Sequence, residues 1–255
     1  MGVSADFAFE VIIVEHCNMR CKYCMHFSPL ASPSFVDFGE YQADMSQLSK
    51  LCHGECKEIV LVGGEPLLHP DISKILLETR RLFPIGEIKI ITNGILLFKM
   101  DDTFWETCKE CHVIIKVSRY PIDFPYEKIK CINHEVTIIF KDKYEMNYLP
   151  LNLLGESDYK ENYVNCISAD KDHCLKHGRM YTCCVAANAE HFNEYFGQSL
   201  YLSENDSISV YEVEDIDSII SFLKHPIPFC RYCDVKSRIE DLPWEVSRCD
   251  IKEWT

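Results

Sequence analysis

The chain has 255 residues, 47% of them hydrophobic, which suffices for one large domain or one domain with a small appendage and excludes a disordered chain. Its 26 basic and 40 acidic residues leave a formal net charge of -14, which repels phosphate backbones and anionic lipid, so nucleic acid and membrane are not expected partners. The first nine residues lack a basic region followed by an apolar core, Gly2 lacks the Ser or Thr four residues on that myristoylation needs, and no window is apolar for long enough to span a bilayer. A cytosolic chain is expected. In that reducing compartment 15 cysteines, an odd number, read as metal ligands or redox groups rather than as disulfides.

Between residues 9 and 140 short β-branched runs alternate with helically spaced segments, the pattern of parallel strands and crossover helices. The runs are 10–14, 58–62, 87–91, 112–117 and 135–140, with an amphipathic stretch at 72–82. No sixth barrel strand is evident in 141–165, so an α/β fold with a partial, open (β/α) TIM-like barrel is expected over residues 1–150. Residues 151–255 read as a small cysteine-rich unit with helices near 186–196 and 215–223.

Directly after the first run come Cys17, Cys21 and Cys24, in a loop at the C-terminal mouth of the sheet, where α/β proteins place their chemistry. Three thiolates at this spacing can grip three corners of a 4Fe-4S cube and leave one iron open, whereas three cysteines in eight residues cannot by themselves close a structural zinc tetrahedron. Three weaker signals follow successive strands. Gly63-Gly64-Glu65-Pro66 offers backbone for close approach to a ligand and a carboxylate suited to an ammonium group; Thr92-Asn93-Gly94 and Ser118-Arg119 end the third and fourth strands.

With Tyr23 just before the last cysteine, this set resembles the radical S-adenosylmethionine (radical SAM) superfamily. The resemblance implies that the open iron chelates S-adenosylmethionine and that Tyr23 lies against its adenine. It implies further that Gly63, Gly64 and Glu65 bind the methionine amino group, while Asn93 and Ser118 touch the ribose or the methionine carboxylate. Reductive cleavage would release a 5'-deoxyadenosyl radical that abstracts substrate hydrogen, with an electron donor such as flavodoxin or ferredoxin as partner.

In the second part Cys166, Gly178 and Cys183 stand at C-x11-G-x4-C spacing, followed by the pair Cys230 and Cys233. This resembles the SPASM/twitch auxiliary domain in its shorter, single-cluster form. The likeness implies a hairpin turned at Gly178 and a second 4Fe-4S cluster on the four cysteines. Cys184 rivals Cys183 as a ligand, and zinc on the same cysteines is the alternative. Cys108 and Cys111 fall on a helical stretch, 102–111, where packing accounts for them; Cys52, Cys56 and Cys131 also close helices, and His16 and His26 read as loop histidines.

The whole-chain resemblance is to the 2-deoxy-scyllo-inosamine dehydrogenase type, which implies oxidation of a carbohydrate or aminocyclitol alcohol with the auxiliary cluster as electron acceptor. It carries Glu10 over as a substrate ligand; Arg119 and Lys141, at the ends of the fourth and fifth strands, are positional candidates for the catalytic base. Epimerisation, with a spare cysteine such as Cys174, Cys184 or Cys249 as hydrogen donor, modification of a peptide, and a non-catalytic zinc or iron-sulfur module stay open.

Overall fold

Alternation along the first strand, β1 (Ala8–Val14), divides the molecule into two cores. Phe9, Val11 and Ile13 point into one apolar cluster, while Glu10 and Ile12 point to the opposite face. The computed structural model describes residues 6–132, 135–169 and 171–255. After β1 the chain runs through α1 (Phe38–Leu51), β2 (Glu58–Gly63), α2 (Ile72–Leu82), β3 (Glu87–Thr92), α3 (Asp102–Glu110), β4 (Ile114–Arg119), α4 (Tyr126–Ile129) and β5 (Thr137–Asp142).

β1 to β5 pair in parallel and in sequence order, the expected open half-barrel. Their outer faces bury Ile59, Leu61, Ile88, Ile90, Ile115 and Val117 beneath α1, α2 and α3. Side-chain caps set where helices start: the Asp37 carboxylate accepts from Gly39 N and Glu40 N, and Asp101 accepts from Phe104 N. The fourth and fifth strands begin two residues later than their apolar runs, because His112 (φ 49°) and Glu135 (φ 57°) adopt left-handed turn conformations.

The second part comprises β6 (Glu145–Tyr148), α5 (Tyr159–Asn165), β7 (Cys174–Lys176), β8 (Arg179–Tyr181), α6 (Cys184–Ala187), α7 (Ala189–Phe196), β9 (Ser207–Ser209), α8 (Ile216–Leu223) and β10 (Ile239–Pro243). Its first hairpin turns through His177 (φ 47°) and Gly178 (φ 66°), two left-handed residues as a type I′ connection requires. The helix read at 186–196 is interrupted at Asn188, leaving α6 and α7.

β7 does not stand apart from the barrel. It pairs in parallel with the free edge of β1, Glu10 opposite Cys174, and extends one eight-stranded sheet in the order β5-β4-β3-β2-β1-β7-β8-β9. β6 lies in the stretch where no barrel strand was expected and pairs with β10 in a separate two-stranded sheet. Among the described residues no helix is long and apolar enough to cross a membrane.

A buried polar knot fastens the two parts. Lys176 Nζ donates to Glu15 Oε2 at 2.8 Å, to Glu190 Oε1 at 2.8 Å and to Asn188 Oδ1 at 3.1 Å, and His191 Nε2 lies 2.6 Å from the same Glu15 oxygen. Burial alone would push Glu15 up, but His191 and Lys176 outweigh it and bring its carboxyl down to about 2.

Candidate active site

The β1 loop and the ends of β2, β3 and β4 enclose a cavity of about 300 Å³. Cys17, Cys21, Cys24, Tyr23, Gly63, Gly64, Glu65, Asn93 and Ser118 all line it, so the residues singled out for cluster and nucleotide share one wall. Glu10 lines it too, from inside β1, together with Asp172, Lys143, His26 and Cys184.

Two expected residues lie elsewhere. Arg119 is held by Asp142 and Glu127 at 2.7 and 2.8 Å and does not line the cavity; Lys141 is exposed on β5. The lysine that reaches the cavity is Lys143, just past the end of β5, whose amide donates to Arg119 O and whose ammonium is pushed down by burial and by Lys141. Asp172, between Cys166 and Cys174, carried no motif signal; it arrives because the pairing of β7 with β1 carries the preceding turn alongside Glu10.

The glycine pair also has a reason within the fold. A Cβ on Gly63 would lie 2.1 Å from Val14 O, and one on Gly64 would lie 1.9 Å from His16 O. The backbone approaches the end of β1 and the start of the cysteine loop closely: Gly64 N donates to Val14 O and Glu65 N to His16 O. Glu65 is likewise engaged within the fold. Its carboxylate accepts from Thr92 Oγ1 at 2.6 Å, Asn93 N at 2.9 Å and Leu67 N at 3.1 Å, tying the end of β2 to the end of β3. Burial pushes it up to about 7 against the pull of those three bonds. Asn93 Nδ2 in turn donates to Asn18 Oδ1 at 2.6 Å, and Met19 N to Cys17 Sγ at 3.3 Å.

The C-terminal segment closes over the cysteine loop. Lys22 N donates to Glu245 O, Ser247 N to Arg20 O, and Trp254 Nε1 to Cys24 O at 3.0 Å. Tyr23, left-handed at φ 63°, packs its ring 4.8 Å from that of Tyr148 on β6.

Cys166, Cys183, Cys230 and Cys233 line a second, small apolar cavity. Asn162 on α5 clamps the Cys230–Cys233 turn by donating to both cysteine carbonyls, at 2.9 and 2.6 Å. Cys183 is extended (φ -157°, ψ 160°) and Cys184 starts a helix, so the neighbours face apart: Cys183 lines this cavity and Cys184 the larger one. Cys108, Cys111, Cys52 and Cys56 pack in the core under the helices, Cys131 is exposed, and Cys249 accepts from Arg20 at 3.1 Å.

Both cysteine sets suit an iron-sulfur cluster. Three buried donors without a hydrogen-bond partner stand beside them: Ser28 Oγ, Trp244 Nε1 and Thr182 Oγ1. Ser28 faces the Cys24 sulfur and Trp244 the Cys21 sulfur, while Thr182 shares the wall of the second cavity, so thiolate or sulfide would complete all three. Burial raises the thiols of Cys17, Cys24 and Cys233, pushes Cys21 and Cys230 up to about 11 and Cys183 to about 12, so metal binding there displaces protons.

A half-barrel with a three-cysteine loop at the mouth of its first strand defines an α/β-barrel protein with a candidate iron-sulfur active site. Residues 11–124 match the profile of the Radical SAM superfamily, a family that uses a 4Fe-4S cluster and S-adenosylmethionine. A stretch of 105 residues is 35% identical to GTP 3',8-cyclase of Clostridium acetobutylicum, covering 39% of this chain and 30% of that protein. Another, of 91 residues, is 31% identical to molybdenum cofactor biosynthesis protein 1 of Bos taurus, covering 36% of this chain and 14% of that one. The chain thus matches less than a third of the length of these curated relatives. In fold it is similar to BtrN in complex with AdoMet and 2-DOIA, with a TM-score of 0.58 and 17% identity over 90% of this chain and 93% of BtrN. To BtrN in an open conformation the TM-score is 0.50, at 18% identity over 89% and 84%.

Proposed function

We propose that this radical SAM enzyme oxidises an alcohol carbon of a carbohydrate or aminocyclitol. The observation that carries the reading is Glu10: it faces the cavity from β1, and burial first, then the neighbouring Asp172 carboxylate, push it up to about 7. A carboxyl in that range suits the removal of a hydroxyl proton at neutral pH. Cys17, Cys21 and Cys24 would hold the SAM-site cluster, with Tyr23, Gly63, Gly64, Glu65, Asn93 and Ser118 around the nucleotide; Cys166, Cys183, Cys230 and Cys233 would hold the auxiliary one. When bound, these groups supply a 5'-deoxyadenosyl radical able to take hydrogen from an unactivated carbon, and a one-electron acceptor.

In this reading residues 1–150 bind and cleave S-adenosylmethionine, residues 151–255 carry the auxiliary centre, and a flavodoxin or ferredoxin delivers the electron. The mixed charge of the cavity, with Glu10 and Asp172 on one side and Lys143 on another, suits a polar small molecule, and the fold shared with BtrN, solved with AdoMet and 2-DOIA, supports one.

A second reading, epimerisation, redox-neutral for the substrate, is favoured by Cys184, whose thiol lines the same cavity and could return a hydrogen atom to the opposite face of the carbon, the thiyl left behind taking an electron from the external donor and a proton from solvent. One experiment serves both. Anaerobic protein, reductant and S-adenosylmethionine are incubated with cyclitols and sugars deuterated at single carbinol carbons. Oxidation gives deuterated 5'-deoxyadenosine and a ketone; epimerisation gives the inverted alcohol with solvent deuterium when run in D2O. Transfer from peptide α-carbons alone would defeat both readings.

A further inference from the structure

Thr182 joins β8 to Cys183 and is 1% exposed, yet its hydroxyl has no hydrogen-bond partner. A buried hydroxyl left unpaired is destabilising, and a valine of nearly the same shape would avoid that cost. The wall on which Thr182 stands is otherwise apolar except for the four thiols, the Asn162 amide, Ser168 and Tyr163, whose hydroxyl donates to Leu223 O. The Asn162 amide is already used on the Cys230 and Cys233 carbonyls.

We infer that the Thr182 hydroxyl donates a hydrogen bond to a sulfur of the metal centre held by Cys166, Cys183, Cys230 and Cys233, and thereby raises that centre's reduction potential. This rests on the reading of those four cysteines as cluster ligands. Hydrogen bonds to thiolate or sulfide stabilise the extra negative charge of the reduced form, so each donor makes the centre a better electron acceptor. The Cys183 sulfur also faces the backbone amides of Val185 and Ala186, which act in the same direction. Unlike those amides, the Thr182 hydroxyl can be removed by a substitution of nearly the same shape. It acts through the centre, as a positioning and tuning residue.

The test is a redox titration of the two-cluster protein by dithionite, followed by electron paramagnetic resonance, in wild type and in Thr182→Val, Thr182→Ala and Thr182→Ser. Added S-adenosylmethionine identifies the first centre, because it perturbs that signal alone. The two hydroxyl-free variants keep their iron and sulfide and shift the auxiliary equilibrium about tenfold towards the oxidised form, a fall of about 59 mV for one electron, while Thr182→Ser stays near wild type and the first centre does not move. An unmoved auxiliary midpoint in either hydroxyl-free variant, with iron retained, overturns the inference. Zinc without sulfide in the wild-type second site overturns the inference and the cluster reading together.

Discussion

Replacing Lys176 by Met tests the knot that fastens the auxiliary part to the cysteine loop. Lys176 is 3% exposed, and its ammonium holds Glu15, Asn188 and Glu190 at 2.8, 3.1 and 2.8 Å. Removing one partner of a buried pair costs about 3–5 kcal/mol, because the remaining charge is left in a poor solvent. Here His191 still reaches Glu15 and the Glu190 carboxylate is half exposed, so the low end applies, about 3 kcal/mol. For a chain of this size that is a fall of about 6–12 °C in the melting midpoint, measured by circular dichroism on anaerobic protein with and without iron. Glu15→Gln in the same chain removes the stranded charge, so the double variant is more stable than the sum of the two single losses predicts, by about 1–3 kcal/mol. A Lys176→Met protein within about 0.5 kcal/mol of wild type, or strict additivity in the cycle, refutes the reasoning.

The remaining predictions concern the site. If Glu10 takes the hydroxyl proton, only its ionised form is active, so kcat/KM rises with pH through about 7 and falls tenfold per unit below it; Glu10→Gln removes that limb and lowers turnover by about 10²-fold or more. A limb that persists in the variant assigns it to another group. Cys183→Ser loses the auxiliary iron whereas Cys184→Ser keeps it, as iron and sulfide analysis will show; the reverse result would exchange their roles. Cys17→Ala abolishes 5'-deoxyadenosine formation, Cys230→Ala spares it while stopping substrate turnover, and Cys108→Ala, in the core, loses neither iron nor cleavage. Loss of iron from the Cys108 variant would place that thiol in the metal chemistry.

Most of the barrel was legible because burial on both faces leaves a local trace: β-branched runs between turns gave five parallel strands, displaced only where His112 and Glu135 turn left-handed. The cysteine loop was legible because its C-x3-C-x2-C spacing is local. What sequence could not show was set by pairing at long range. Lys143 rather than Lys141 reaches the cavity because the chain turns in just after β5 ends at Asp142. Gly63 and Gly64 are required by the backbone of Val14 and His16, about fifty residues earlier, and the strap at 244–254 has no motif at all. Cys183 and Cys184 are indistinguishable by spacing, and separate because one is extended and the other helical.

The edge pairing of β7 with β1 does the most to decide what the site can do. Glu10 N donates to His173 O at 2.8 Å and Glu10 lies opposite Cys174, so the position of Asp172 relative to Glu10 is fixed by ladder hydrogen bonds instead of by a linker. A slip of one residue in that register would turn Glu10's neighbours to the other face of the sheet and uncouple the two carboxylates. The same three-residue strand leads through the hairpin to Thr182, Cys183 and Cys184. If the four-cysteine set holds an electron acceptor, its position relative to Glu10 is therefore fixed through β7, β8 and the turn to Cys183. Strengthening or weakening the knot at Lys176 should then change stability and electron transfer together.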